Sequence, residues 1–117
     1  SDVTPEGKSI YVTEGVFRAI HRRLGQTPKN IPLTGPAHSF LREDACLLTP
    51  GEATEVRFEM LPTSYLFRSG HCVRMSIALA DSDHFTRIPL GRPPTLSLNR
   101  SSEEPTRLVL PVVGGTH

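Results

Sequence analysis

Tryptophan is missing from this chain, and only two tyrosines and five phenylalanines are present. A carbohydrate platform, which relies on broad aromatic faces, is therefore poorly supplied. The only two cysteines, Cys46 and Cys72, do not have the spacing of a metal or redox motif. A disulfide between them stays open for an oxidising compartment; two reduced, mostly buried thiols that pack as small apolar groups are the simpler expectation. Neither sign of charge is in surplus: thirteen basic and twelve acidic residues leave a formal charge of +1. No strong field is available to steer nucleic acid or an anionic membrane. Apolar runs are short, so nothing is expected to span a bilayer. No charged segment followed by an apolar one reads as a signal peptide. The compartment is left open, with the cytoplasm slightly favoured. Also missing is any Gly-x-Ser-x-Gly elbow, the strained turn that exposes a nucleophilic serine beside its oxyanion donors.

What the chain has is punctuation. Eleven prolines and nine glycines in 117 residues suit short strands joined by turns and argue against long helices. The length fits one domain over 1–117, able to fold without disulfides or metal. A first short strand is predicted at 8–12, then a turn or bulge at Thr13, Glu14 and Gly15, with Gly15 free to take positive φ. Residues 16–22 read as a second strand, with a helical reading of 14–24 as the alternative. A connector over 25–37 carries Pro28, Pro32 and Pro36. Residues 38–48 suit a short extended piece or partial helix. Pro50-Gly51 marks a turn before a strand at 53–60. Residues 61–70 suggest a helical turn and a tight corner. The clearest strand is 72–79, where Val73, Met75, Ile77 and Leu79 alternate with Cys72, Arg74, Ser76 and Ala78. A second loop covers 80–94, followed by strands at 95–99 and 106–113 around a polar hairpin connection. Pro111 confines the last strand to an edge or bulge, and 114–117 reads as a frayed tail. Some seven short strands predict an all-β fold, an antiparallel jelly-roll β-sandwich or an immunoglobulin-like one. The absence of a Cys…Trp…Cys spacing removes the antibody type.

Four segments carry a family resemblance over roughly 11–113. They are Thr13-Glu14-Gly15 leading into Val16-Phe17-Arg18, and Pro50-Gly51-Glu52 leading into Val56-Arg57-Phe58. Next come Leu61-Pro62 through Phe67 with the Gly70-His71 corner, then the strand and Asp-rich loop at 76–85. Together they resemble the C-terminal domain of the CocE/NonD serine hydrolases, a family that includes cocaine esterase and the X-Pro dipeptidyl-peptidases. Cys72 departs from the pattern, since many members carry Arg after Gly-His. The resemblance implies a jelly-roll β-sandwich, galactose-binding-domain-like, that holds no triad residue. It implies a parent with an α/β-hydrolase domain as partner, a possible homodimer, no cofactor, and neither nucleic acid nor membrane as partner. A free-standing module that binds a carbohydrate or peptide through Tyr11 or the phenylalanines is the alternative.

The candidate site residues are Tyr65, Phe67, His71, Asp81, Asp83 and His84, as an interdomain surface or a structural corner. Ser64, His71 and Asp81 supply the residue types of a triad, yet their spacing does not support one. His71 reads as a structural histidine that bonds backbone at the corner. Asp81, Asp83 and His84 could offer oxygen ligands to a hard cation; turn capping is the simpler role. Asn99-Arg100-Ser101 fits a glycosylation sequon and reads as a plain turn.

Overall fold

A computed structural model describes residues 1–26, 35–81, 83–86, 91–92 and 94–114. Most of the proline-rich connector, with Pro28 and Pro32, lies outside the described residues, as do Ser82, part of the second loop and the last three residues. The chain forms two compact units, Ser1–Ser76 and Ile77–His117.

The first unit is organised by a small antiparallel sheet of β1 (Asp2–Val3), β2 (Ser9–Ile10) and β3 (Cys72–Val73). The strand order is β2-β1-β3, so the first strand is central. Asp2 lies opposite Ile10 on one side and Val73 on the other. The β1–β2 connection follows from its sequence. Pro5 suits the second position of a type I turn, and Gly7 takes φ 84° as the bulge residue that often follows. Gly7 N–H donates to Thr4 O at 2.9 Å, and Thr4 N–H to Lys8 O at 2.9 Å.

Two more turns use glycine in the same way. At the turn from Thr49 to Glu52, Gly51 has φ 83° and Glu52 N–H reaches Thr49 O at 3.2 Å. At the corner from Arg68 to His71, Gly70 has φ 82° and His71 N–H reaches Arg68 O at 3.1 Å. Gly15 behaves otherwise. It does not use the positive φ expected of it, and a Cβ placed there would meet Glu59 O at 2.7 Å. Close approach of two backbones is what this glycine permits. Beside it Leu61 N–H donates to Glu14 O at 2.8 Å and Thr13 Oγ1 donates to Leu61 O at 2.6 Å.

In place of the strand expected at 16–22 the structure has a 3₁₀ turn at Ala19–His21, and a second at Arg42–Asp44. Arg22 ties them together. Its guanidinium donates to Ala19 O, Cys46 O, Leu47 O and Thr54 Oγ1, while Cys46 N–H donates to Ile20 O at 2.8 Å. Apolar packing here is mainly aromatic. Phe17 stacks on Phe58 at 5.5 Å between centroids and tilts against His38 at 4.6 Å. The His38 ring also spans two carbonyls, those of Arg23 at 3.2 Å and Arg57 at 2.8 Å.

The long alternation at 72–79 is only partly laddered: β3 stops at Val73, with one further pair of bonds at Arg74. A ladder needs a strand opposite, and among the described residues Met75 and Ser76 have none. Cys46 and Cys72 are free thiols, the first half-buried and the second exposed, so burial holds for neither in full. No helix among the described residues is long and apolar enough to cross a membrane.

Among its described residues the second unit carries two closed turns. Phe85 N–H donates to Asp81 O at 2.9 Å, and Thr106 N–H donates to Asn99 O at 2.8 Å across the expected hairpin connection. Leu108 and Leu110 are less exposed than Val109 between them, the signature of an alternating extended segment. The alternation ends at Pro111, since Val112 is almost fully exposed.

Candidate functional site

The central strand places Asp2 under the Gly70 corner, and Asp2 is only 1% exposed. A carboxylate leaving water needs donors to replace it. Two side chains from the corner supply them. Tyr65 Oη donates to Asp2 Oδ2 at 2.8 Å. His71 Nδ1 donates to the same oxygen at 2.8 Å and reaches Oδ1 at 3.0 Å. The turn at Arg68 to His71 reverses the chain, and that reversal brings Tyr65 and His71 to one carboxylate. Phe67 backs the arrangement, its ring edge-on to Tyr65 at 5.0 Å and 66°.

The electrostatics follow from these contacts. Burial pushes the Asp2 carboxyl upward, but the hydrogen bonds from His71 and Tyr65 outweigh it, with help from the charge of His71. The net result lies below the usual carboxylate range. Tyr65 moves the other way: donating to Asp2 favours its neutral form, and burial adds to that. Glu6 nearby is lowered chiefly by a hydrogen bond from Thr4.

Beside the corner lies a shallow cleft of ≈ 480 Å³. Thr4, Pro5 and Glu6 of the hairpin turn wall one side; Tyr65, Arg68 and His71 wall the other. Pro5 Cγ would lie 3.7 Å from a Cβ on Gly70, so the two turns meet in ordinary contact. Chemically the arrangement is a satisfied buried carboxylate. His71 directs Nδ1 at Asp2, and no bond to Ser64 accompanies it among the described residues.

The remaining candidates lie in the second unit. Asp81 Oδ1 accepts from Asp83 N–H at 3.2 Å, and Asp81 Oδ2 accepts from His84 Nδ1 at 3.0 Å. The His84 hydrogen bond is the main reason that Asp81 is lowered. This is the geometry of a carboxylate closing its own turn. Among the described residues no group of three or more His, Cys, Asp and Glu side chains is placed to hold a metal ion. Asn99 of the sequon donates its side-chain amide to Glu104 at 3.3 Å within the turn it closes.

Sequence reasoning missed two residues. Asp2 is the partner that explains His71, and Arg22 is the hub of the 3₁₀ turns. The signal for Asp2 was present as Pro5-Glu6-Gly7, a turn signature between Asp2-Val3 and Ser9-Ile10 that marks a hairpin. Arg22 carries no such signal.

Comparison with known proteins bears on the chain as a whole. Residues 1–111 match the family described as the X-Pro dipeptidyl-peptidase C-terminal non-catalytic domain. Two relatives, from Mycobacterium bovis and Mycobacterium tuberculosis, are both provisionally named serine esterases. Each is 46% identical over 112 residues, a stretch that covers 96% of this chain and 18% of the relative. The chain thus spans about a fifth of the length of the curated relatives it matches. No solved structure matches it significantly.

Proposed function

The chain belongs to the X-Pro dipeptidyl-peptidase C-terminal non-catalytic domain family, and we propose that it is the accessory domain of a serine ester or amide hydrolase. It packs on the catalytic domain and walls one side of the active site, with no triad of its own. The observation that carries this reading is the pairing of 46% identity over nearly the whole chain with coverage of only 18% of each relative. In the parent, a serine elsewhere in the polypeptide attacks the ester or amide carbonyl, and water then hydrolyses the acyl-enzyme.

Two further observations support it. Large apolar side chains stand in water, among them Leu66 at 80% and Leu47 at 83% exposure. An extensive exposed apolar surface is unusual for a free monomer and suits a domain that has a neighbour. The corner tied to buried Asp2 by His71 and Tyr65 is a support on which Leu66 and the exposed part of Tyr65 can be presented to that neighbour. We propose the jelly-roll β-sandwich as the complete fold, on the strength of the turn spacing and the antiparallel β2-β1-β3 core.

The deciding experiment is the mass of the native polypeptide, detected with an antibody to this domain, with peptide sequencing upstream of Ser1. A product several times larger that contains a Gly-x-Ser-x-Gly peptide is the expected result. A native product near 12.9 kDa overturns the reading and makes a free-standing binding module the leading one.

A further inference from the structure

We infer that the open edge of β3, beyond Arg74, is the docking place of the segment that immediately precedes Ser1 in a longer polypeptide. The inference rests on the accessory-domain reading above and adds which residues meet.

The register carries the argument. In β1 and β3, Asp2 lies opposite Val73 and Val3 opposite Cys72. One step further, the backbone nitrogen of Ser1 donates to Arg74 O at 2.9 Å, and Arg74 N–H donates to Ser1 O at 2.9 Å. Two residues that exchange both bonds form a hydrogen-bonded pair, and in an antiparallel ladder such pairs recur at every second residue. Extending the ladder by one place sets the first upstream residue opposite Met75, in a pair without hydrogen bonds. Extending it by two sets the second upstream residue opposite Ser76, where both bonds form again. A slip by one residue would turn every side chain to the wrong face, and the Ser1–Arg74 pair already excludes it.

The edge is prepared for such a partner. Met75 is 45% exposed, on the same face as Val73. Among the described residues nothing pairs with Met75 or Ser76. Unpaired strand edges invite strand addition, and folded proteins cover them. The occupant is a piece of the same polypeptide for two reasons. The family is described as a C-terminal domain and the relatives are far longer than the matched stretch, which favours a parent polypeptide that continues upstream. A segment joined directly to Ser1 also closes no new loop, so its entropic cost is small. The first upstream residue then covers Met75, on the face that Asp2 and Val73 share.

The test is amide hydrogen exchange on the full native polypeptide, resolved to single residues. The Ser76 amide points into the new pair, whereas the Met75 amide points to the outer edge. We expect Ser76 to exchange at least about tenfold more slowly than Met75, as a ladder amide does beside a solvent-facing one. Proline at the second upstream residue removes the donor to Ser76 O and brings the Ser76 rate toward that of Met75. Equal rates at Ser76 and Met75 in a polypeptide that does carry a catalytic domain overturn this pairing and leave the accessory-domain reading intact. A native polypeptide that starts at Ser1 overturns both.

Discussion

The ring of His71 holds the carboxylate of Asp2 at 2.8 Å across 69 residues of sequence. That bond joins the central strand to the Gly70 corner, and Tyr65 completes it from the same side. The corner is therefore a consequence of pairing between the two ends of the first unit.

The first prediction concerns acid. The Asp2 carboxyl titrates below its ordinary value of 3.8. A lowered carboxylate contributes stability that is fully present above the unfolded value and is lost as pH falls through the folded one. The window therefore lies below about pH 4. Urea midpoints measured from pH 7 to pH 3 should fall at the acid end in the wild type and more gently in Asp2→Asn. At neutral pH the variant should already be weaker, since an amide nitrogen then faces one of the two donors. Parallel acid slopes in the two proteins would remove Asp2 as the linked group.

Alkali tests the other partner. Tyr65 is raised above its ordinary value of 10.0 because it donates to Asp2. Its stabilising share is present below pH 10 and is lost as the pH rises through the folded value. Ultraviolet titration should show one tyrosine ionising late, and Tyr65→Phe should abolish that phase. Survival of the late phase in the variant would assign it elsewhere.

Glycine substitutions separate two reasons for having glycine. At Gly51, with φ 83° and open space where a Cβ would go, alanine should cost about 1–2 kcal/mol for the left-handed conformation alone. At Gly15 the backbone angle is no obstacle, but a Cβ would meet Glu59 O at 2.7 Å and Met60 Cα at 3.0 Å. Gly15→Ala should therefore cost more than Gly51→Ala and weaken the Leu61 to Glu14 bond. An effect within about 0.5 kcal/mol, as at ordinary surface sites, would show that these backbones do not approach so closely.

Arg22→Lys tests the hub. A guanidinium reaches Thr54 Oγ1 at 3.1 Å and Leu47 O at 3.1 Å together, with the Ala19 and Cys46 carbonyls between them. One ammonium cannot span that set. The substitution should destabilise by about 1–3 kcal/mol in chemical denaturation, with part of the cost from carbonyls left unpaired. A midpoint unchanged by the substitution would mean that water replaces the fork without loss.

The tight turn at Gly70 was legible before the structure; its partner was not. No helical turn forms over 61–70, and the His71 ring bonds the Asp2 side chain in place of the backbone expected of it. Tyr65, Phe67 and His71 stand beside a glycine that needs positive φ, so local pattern alone selects them. Asp2 lies far away in sequence, and no short-range rule says which carboxylate a histidine will meet. The stretch at 16–22 reads as a strand whose alternation is loose, with a helix over 14–24 as the alternative. In the structure Arg22 draws in the Ala19 carbonyl and the Cys46 backbone, and that favours the 3₁₀ turn at Ala19–His21. Asp81 was legible as a turn cap because its partners, Asp83 and His84, lie within three residues.

By itself the sequence determined the family and the turns at Gly51 and Gly70, because proline, glycine and short polar side chains act over a few bonds. It also shows no Gly-x-Ser-x-Gly elbow, a local motif that needs only adjacent residues. Only the tertiary structure decided that Asp2 is the buried anchor, that Gly15 serves close approach, and that Ser1 pairs with Arg74. Those outcomes depend on which distant segments meet, and distance in sequence places no limit on that.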